Sequence, residues 1–212
     1  MARPSYEISL HSSLYASPNG YAIALFAKSL KYPAQNYQYR LIDLATSDLL
    51  LPNRMVQEVF EGWYRNYNDP DMRRLGVCPI NILYCNTLQY KQDIRQQFNR
   101  AKQQGYQGES KPLVGEWKYY QVRSWQHVES LSGDVLHGAL LKLSAAVNNG
   151  QLLIADPSLS QKLREEMSGD YDWDIGVKSM PVTLAAFVQA FSQMPLKVKR
   201  SAAQTYLRRG VF

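Results

Sequence analysis

DVLHGALLKLSAAVNNGQLLIADP, residues Asp134 to Pro157, carries an apolar helical pattern directly into an apolar strand pattern, and its reading decides the fold class. Val135, Leu136, Ala139, Leu140, Leu143, Ala146 and Val147 recur at the one-, three- and four-residue spacings of a helix buried over a broad face. Asp134 suits the N-cap, where its carboxylate can accept the first free backbone amides. Asn148, Asn149 and Gly150 tolerate a left-handed backbone and should stop the helix. Gln151 to Ala155 then reads as a short strand ended by Asp156 and Pro157. This predicts an α+β protein whose core centres on the 134–147 helix.

Working outward, Tyr6, Ile8 and Leu10 alternate with polar residues as a half-buried strand does, and Ser17-Pro18-Asn19-Gly20 is turn chemistry. Tyr21 to Leu30 is rich in helix formers and stops short of Pro33, which predicts a helix. Tyr37 to Leu44 carries apolar residues on both faces, as a strand inside a sheet does. Asn53 should cap a helix through Met55, Val56, Val59, Phe60 and Trp63, and Ile80 to Asn86 reads as a second central strand. Thr87 to Gln104 predicts a glutamine-rich helix with a narrow apolar stripe, followed by a loop over Gly105 to Pro112. Leu113 to Arg123 is strand-like and crowded with Trp117, Tyr119 and Tyr120. Ser158 to Met167 predicts a short charged helix, Thr183 a cap for a helix through Leu184, Phe187, Val188 and Phe191, and Leu196 to Arg209 a last amphipathic helix. Together these give one α+β domain over residues 1–212. Its mixed or antiparallel sheet, of about four to six strands, is packed by the 134–147 and 184–194 helices.

The longest apolar runs, Tyr21 to Ala27 and Leu184 to Val188, fall far short of the roughly 20 residues of a bilayer span. The amino terminus shows no apolar signal region, and Cys78 and Cys85 are the only cysteines, so a reducing, cytoplasmic setting is expected. Net charge is +6, which favours an anionic partner. Its distribution is uneven. Glu165, Glu166, Asp170, Asp172 and Asp174 form an acidic block, whereas Lys197, Lys199, Arg200, Arg208 and Arg209 follow with no acid among them. On the predicted 87–104 helix, Lys91, Arg95 and Lys102 fall in a sector about 40° wide.

Catalytic motifs are thin. His11, His127 and His137 are far apart in sequence, and His137, on the apolar helix, reads as a core histidine with a satisfied hydrogen bond. The cysteine spacing does not fit a zinc knuckle, and both read as small apolar residues. Asp170, Asp172 and Asp174 begin like a calcium loop, but the glycine comes at Gly176 and the twelfth position is Pro181; a strand or turn with its aromatics inward fits better. No phosphate-cradling glycine loop and no nucleophile elbow occur. No metal or cofactor is expected.

Aromatics interleaved with basic residues suit stacking on bases and neutralising phosphates. The sequence therefore predicts a non-catalytic subunit of a larger assembly, of mobile-element, phage-defence or conjugation type. It would contact single-stranded RNA or DNA through Lys91, Arg95, Lys102, Lys197, Lys199, Arg200, Tyr206, Arg208 and Arg209, with other protein subunits as partners and no membrane. Two alternatives stand beside it: a self-assembling coat or scaffold whose tyrosines and arginines make subunit contacts, and an enzyme with a dispersed, motif-free site.

Overall fold

A computed structural model of the chain describes residues 6–31, 37–52, 54, 55, 58, 59, 80–86, 92, 96, 122–154 and 156–197, the side chains of 6–8, 29–31, 80, 81 and 122–125 excepted. Its frame is a six-stranded mixed sheet of order β5-β4-β1-β2-β3-β6. The strands are β1 (Tyr6–Ser17), β2 (Gly20–Lys31), β3 (Gln38–Ser47), β4 (Ile80–Cys85), β5 (Val122–His127) and β6 (Leu152–Ile154). β1, β2 and β3 form an antiparallel meander. β4 lies parallel to β1, β5 parallel to β4, and β6 parallel to β3.

Both faces of β1 are buried: Ser9, His11, Ser13 and Tyr15 alternate with Leu10, Ser12 and Leu14, all within the interior. The 17–20 turn reverses the chain through Pro18 and Asn19, and Gly20 takes a φ of 127° that an L side chain would resist. This turn explains why Tyr21 to Leu30 is a strand and not the expected helix. Ser17 pairs with Gly20, and the register then continues to Tyr6 opposite Lys31. Tyr21 through Phe26 are all buried, so the run has neither a helical stripe nor a polar face; it is the signature of a strand covered on both sides. Pairing on two edges overrides the helix propensity of its alanines and leucines.

The helices form layers above the sheet: α1 (Gly133–Asn148), α2 (Pro157–Met167) and α3 (Val182–Gln193), with a short 3-10 turn over Gly176–Ser179. α3 lies directly on β1 and β2, and α1 packs on α3 and β6. The centre of the core is therefore α3, every residue of which from Thr183 to Phe191 is buried. Phe187 and Phe191 meet Phe26 at ring distances of 5.6 and 6.5 Å, and Phe191 also meets Tyr39 edge-on at 6.0 Å.

α1 is an outer helix, which corrects the expectation that it is the core's centre. Leu136, Ala139, Leu143 and Ala146 are buried, Leu140 is half-buried, and Val135 and Val147 are 66% and 50% exposed. It covers another helix, and one such contact buries a narrower stripe than the sequence offers. Its N-cap is Ser132, with Asp134 inside the first turn. Gly150 does take the left-handed backbone, at a φ of 64°. Asp156 opens α2, its carboxylate accepting from the Ser158 and Leu159 amides at 2.8 and 3.3 Å. Thr183 is likewise not a cap: Pro181 holds that position, and the buried Thr183 hydroxyl donates to the Glu166 carboxylate. Helical residues at 52, 54, 55, 58 and 59 agree with the predicted helix, but it starts before Asn53, the expected cap: Pro52 is already helical and the Met55 amide donates to the Leu51 carbonyl at 3.0 Å; Met55 and Val59 are buried. The loop at 105–112 and the aromatics Trp117, Tyr119 and Tyr120 lie outside the described residues.

Candidate active site

The chain builds outward from β1 in one direction through β2 and β3, then returns to lay β4 and β5 on the other side. The reversal makes a topological switch point between β1 and β4, and ligands of open sheets with parallel strands bind outside the carboxyl ends of the strands at such a point. Register brings Leu14, Cys85 and His127 side by side there. Asn86, one residue past β4, ties the ends together: its Oδ1 accepts from the Ala16 amide and its Nδ2 donates to the Ala16 carbonyl, both at 2.9 Å.

At the same end His127 is exposed, and its Nδ1 lies 3.1 Å from the Cys85 carbonyl oxygen. A carbonyl only accepts, so Nδ1 carries the proton and the neutral ring has its lone pair on Nε2. A backbone contact thus sets the tautomer and orients the ring, as a general base requires. Glu129, two residues on, is an exposed carboxylate. His127 Nε2 and Glu129 are the groups at this end best suited to meet a cation or a proton.

A second polar row lies inside the sheet. The His11 ring nitrogens sit 3.0 Å from Ser9 Oγ and 3.0 Å from Tyr84 OH, and the ring stacks on Tyr84 at 5.8 Å. Burial, assisted by the positive charge of Lys28, pulls the His11 pKa down to about 3. Burial pushes the Tyr84 hydroxyl up to about 12. Both are therefore neutral and hydrogen-bonded near pH 7, and at 2% exposure neither meets a substrate. Gln189 of α3 lies above this row, its Nε2 3.4 Å from Ser13 Oγ.

The core histidine of this protein is thus His11, whereas His137, expected to be buried, is exposed and set edge-on to Trp173 at 6.2 Å. α1 turns its His137 side away from α3, which explains the difference. The acid cluster builds a turn. Asp172 Oδ1 accepts from the Asp174 and Ile175 amides at 2.9 and 3.2 Å, and the Asp172 carbonyl accepts from Gly176 at 2.8 Å. Trp173, expected inward, is 49% exposed. Among the described residues no group of three or more His, Cys, Asp or Glu side chains is placed to hold a metal ion. Cys85 is buried with its thiol free of any disulfide, and Cys78 lies outside the described residues.

Of the residues expected to contact nucleic acid, Lys197 is exposed, just beyond Leu196, whose carbonyl accepts from the Tyr37 amide at 3.0 Å. Lys91, Arg95, Lys102, Lys199, Arg200, Tyr206, Arg208 and Arg209 lie outside the described residues. Sequence reasoning passed over His127, because its significance comes from standing at the end of a parallel strand beside the Cys85 carbonyl, which also accepts from the Val128 amide at 3.0 Å. The signal available was its place at the close of an aromatic strand, one residue before Val128.

No family model matches the chain, and no curated protein matches it. Among solved structures, the crystal structure of the nuclease domain of g2p, the large terminase of bacteriophage SPP1, with bound Mn, is similar at a TM-score of 0.42 and 12% identity. The match covers 88% of this chain and 86% of that one. That finding overturns the expectation of a non-catalytic subunit contacting nucleic acid, which is not carried further. Beyond that, the likeness assigns no residue, metal or reaction to this chain. No described helix is long and apolar enough to cross a membrane.

Proposed function

We propose that the protein is an enzyme that hydrolyses phosphodiester bonds in nucleic acid, with its site at the carboxyl ends of β1, β4 and β5. The observation that carries this reading is the His127 ring, held by the Cys85 carbonyl with Nε2 as the basic nitrogen, at a topological switch point. A base so placed can take the proton of an attacking water. The polyanionic substrate is supported by the net charge of +6. Asn86 acts by positioning: its two bonds to Ala16 fix the end of β4, and with it the Cys85 carbonyl that orients His127.

The test is cleavage of single- and double-stranded DNA and RNA, with and without magnesium or manganese. Cleavage of at least one substrate is expected, falling roughly 100-fold or more in His127→Ala, the typical contribution of a general base. The variant's melting point should stay near that of the parent, because the side chain is exposed. Absence of cleavage under every condition refutes the function; cleavage that His127→Ala leaves intact refutes the site.

A further inference from the structure

A cavity of about 390 Å³ opens between the outer face of α1, the end of α2 and the start of α3. Its walls include Leu140, Leu141, Met167, Trp173 and Leu184, with Asp170 at the margin. Three of these are apolar side chains left largely in water: Leu141 at 59%, Trp173 at 49% and Met167 at 44% exposure. Their clustering around one concavity marks a place that another apolar surface covers. His137, set against Trp173, extends the wall.

The charge around it selects the occupant. From Glu165 to Asp174 the sequence carries five acids and no base. From Lys197 to Phe212 it carries five bases and no acid, with Tyr206, Leu207, Val211 and Phe212 as apolar side chains. Reach is sufficient. α3 has 12 residues and so spans about 18 Å between the groove and the neighbourhood of Lys197. Residues 198–212 cover about 22 Å as a helix and up to about 50 Å extended.

We propose that this groove, with Asp170 in its wall and the other acids of the 165–174 stretch close by in sequence, is a docking site for the basic carboxyl-terminal segment of the same chain, residues 198–212. Apolar side chains of the segment cover Leu141, Met167 and Trp173, while its arginines and lysines face Asp170 and Asp174. The contact is intramolecular, so it holds at any protein concentration, and its electrostatic part weakens as salt rises.

Trypsin reports docking directly, because its sites in the segment, Lys199, Arg200, Arg208 and Arg209, are the charges engaged. In the full chain at low salt these bonds should be cut at least tenfold more slowly than in Leu141→Asp, which spoils the apolar wall. Asp170→Lys combined with Asp174→Lys should release the segment similarly, as should 0.5 M salt on the parent chain. Leu141, Asp170 and Asp174 are on the surface, and an unchanged melting curve for each variant confirms that only docking was altered. Equal cleavage in the parent and in Leu141→Asp overturns the proposal. So does protection that disappears on hundredfold dilution, since the occupant would then be the segment of a second copy.

Discussion

His11 makes the protein's stability depend on pH in a way that can be calculated and then removed. Its ring is 2% exposed between Ser9 and Tyr84, with Tyr39 edge-on at 5.9 Å and Lys28 as the nearby cation. Unfolding returns it to a pKa near 6.5, from about 3 in the fold. Above pH 6.5 the ring is neutral in both states and contributes no pH dependence. Between 6.5 and 3 the unfolded chain binds a proton that the folded chain refuses, so stability falls as pH falls. At about 1.36 kcal/mol per unit, acidification from pH 6.5 to 4.5 costs up to about 2.7 kcal/mol through this residue alone. His11→Gln keeps an amide able to bond both hydroxyls and has nothing to titrate. Urea unfolding of parent and variant at pH 7 and pH 4.5 isolates the effect, because the carboxylates of both proteins titrate alike. The parent should lose about 2 to 3 kcal/mol more than the variant over that interval. An equal loss in the two proteins would refute the account of a neutral, buried His11.

The other predictions concern packing and backbone. Phe191→Ala should cost about 3 to 5 kcal/mol in chemical denaturation, because its ring is buried against Phe26 and Tyr39, whereas Val135→Ala on exposed α1 surface should stay within about 0.5 kcal/mol. Gly20→Ala should lower stability by about 1 to 3 kcal/mol, since φ is 127° and the added carbon would stand 2.5 Å from the Ser47 carbonyl oxygen; an unchanged melting point would mean the turn relaxes. Asn86→Ala removes both bonds to Ala16 and should cost about 1 to 3 kcal/mol while also lowering the rate of nucleic-acid cleavage; a loss of stability with full activity would separate the clamp from the site.

The fold class was legible because much of the patterning is local. Alternation in β1, the Pro-Asn-Gly turn, the two-faced strand β3 and the Asn-Asn-Gly stop after α1 each follow from a few neighbouring residues. What was not legible depends on neighbours remote in sequence. Tyr21 to Phe26 has the composition of a helix, and only pairing with β1 and β3 makes it a strand. Val135 and Leu136 are equally apolar, yet one is 66% exposed and the other buried, because the width of a buried stripe depends on what the helix packs against. The site was harder still. His137, whose apolar helix suggests a core position, is exposed, the buried histidine is His11, and His127 gains its orientation from a carbonyl 42 residues away. A residue whose role depends on a parallel strand end leaves no spacing to recognise.

The order of the layers also bears on how the protein is made. β1, β2 and β3 are complete by Ser47, whereas the helix that covers β1 and β2 begins at Val182. At about 5 to 20 residues per second, a ribosome needs on the order of ten seconds to synthesise the intervening chain. For that time Phe26 and its neighbours have no roof, and a nascent meander that pairs early offers an uncovered apolar face to its surroundings. Soluble yield should therefore respond more to chaperones acting at the ribosome than to the final stability of the fold, and slowing translation after Ser47 should lower it.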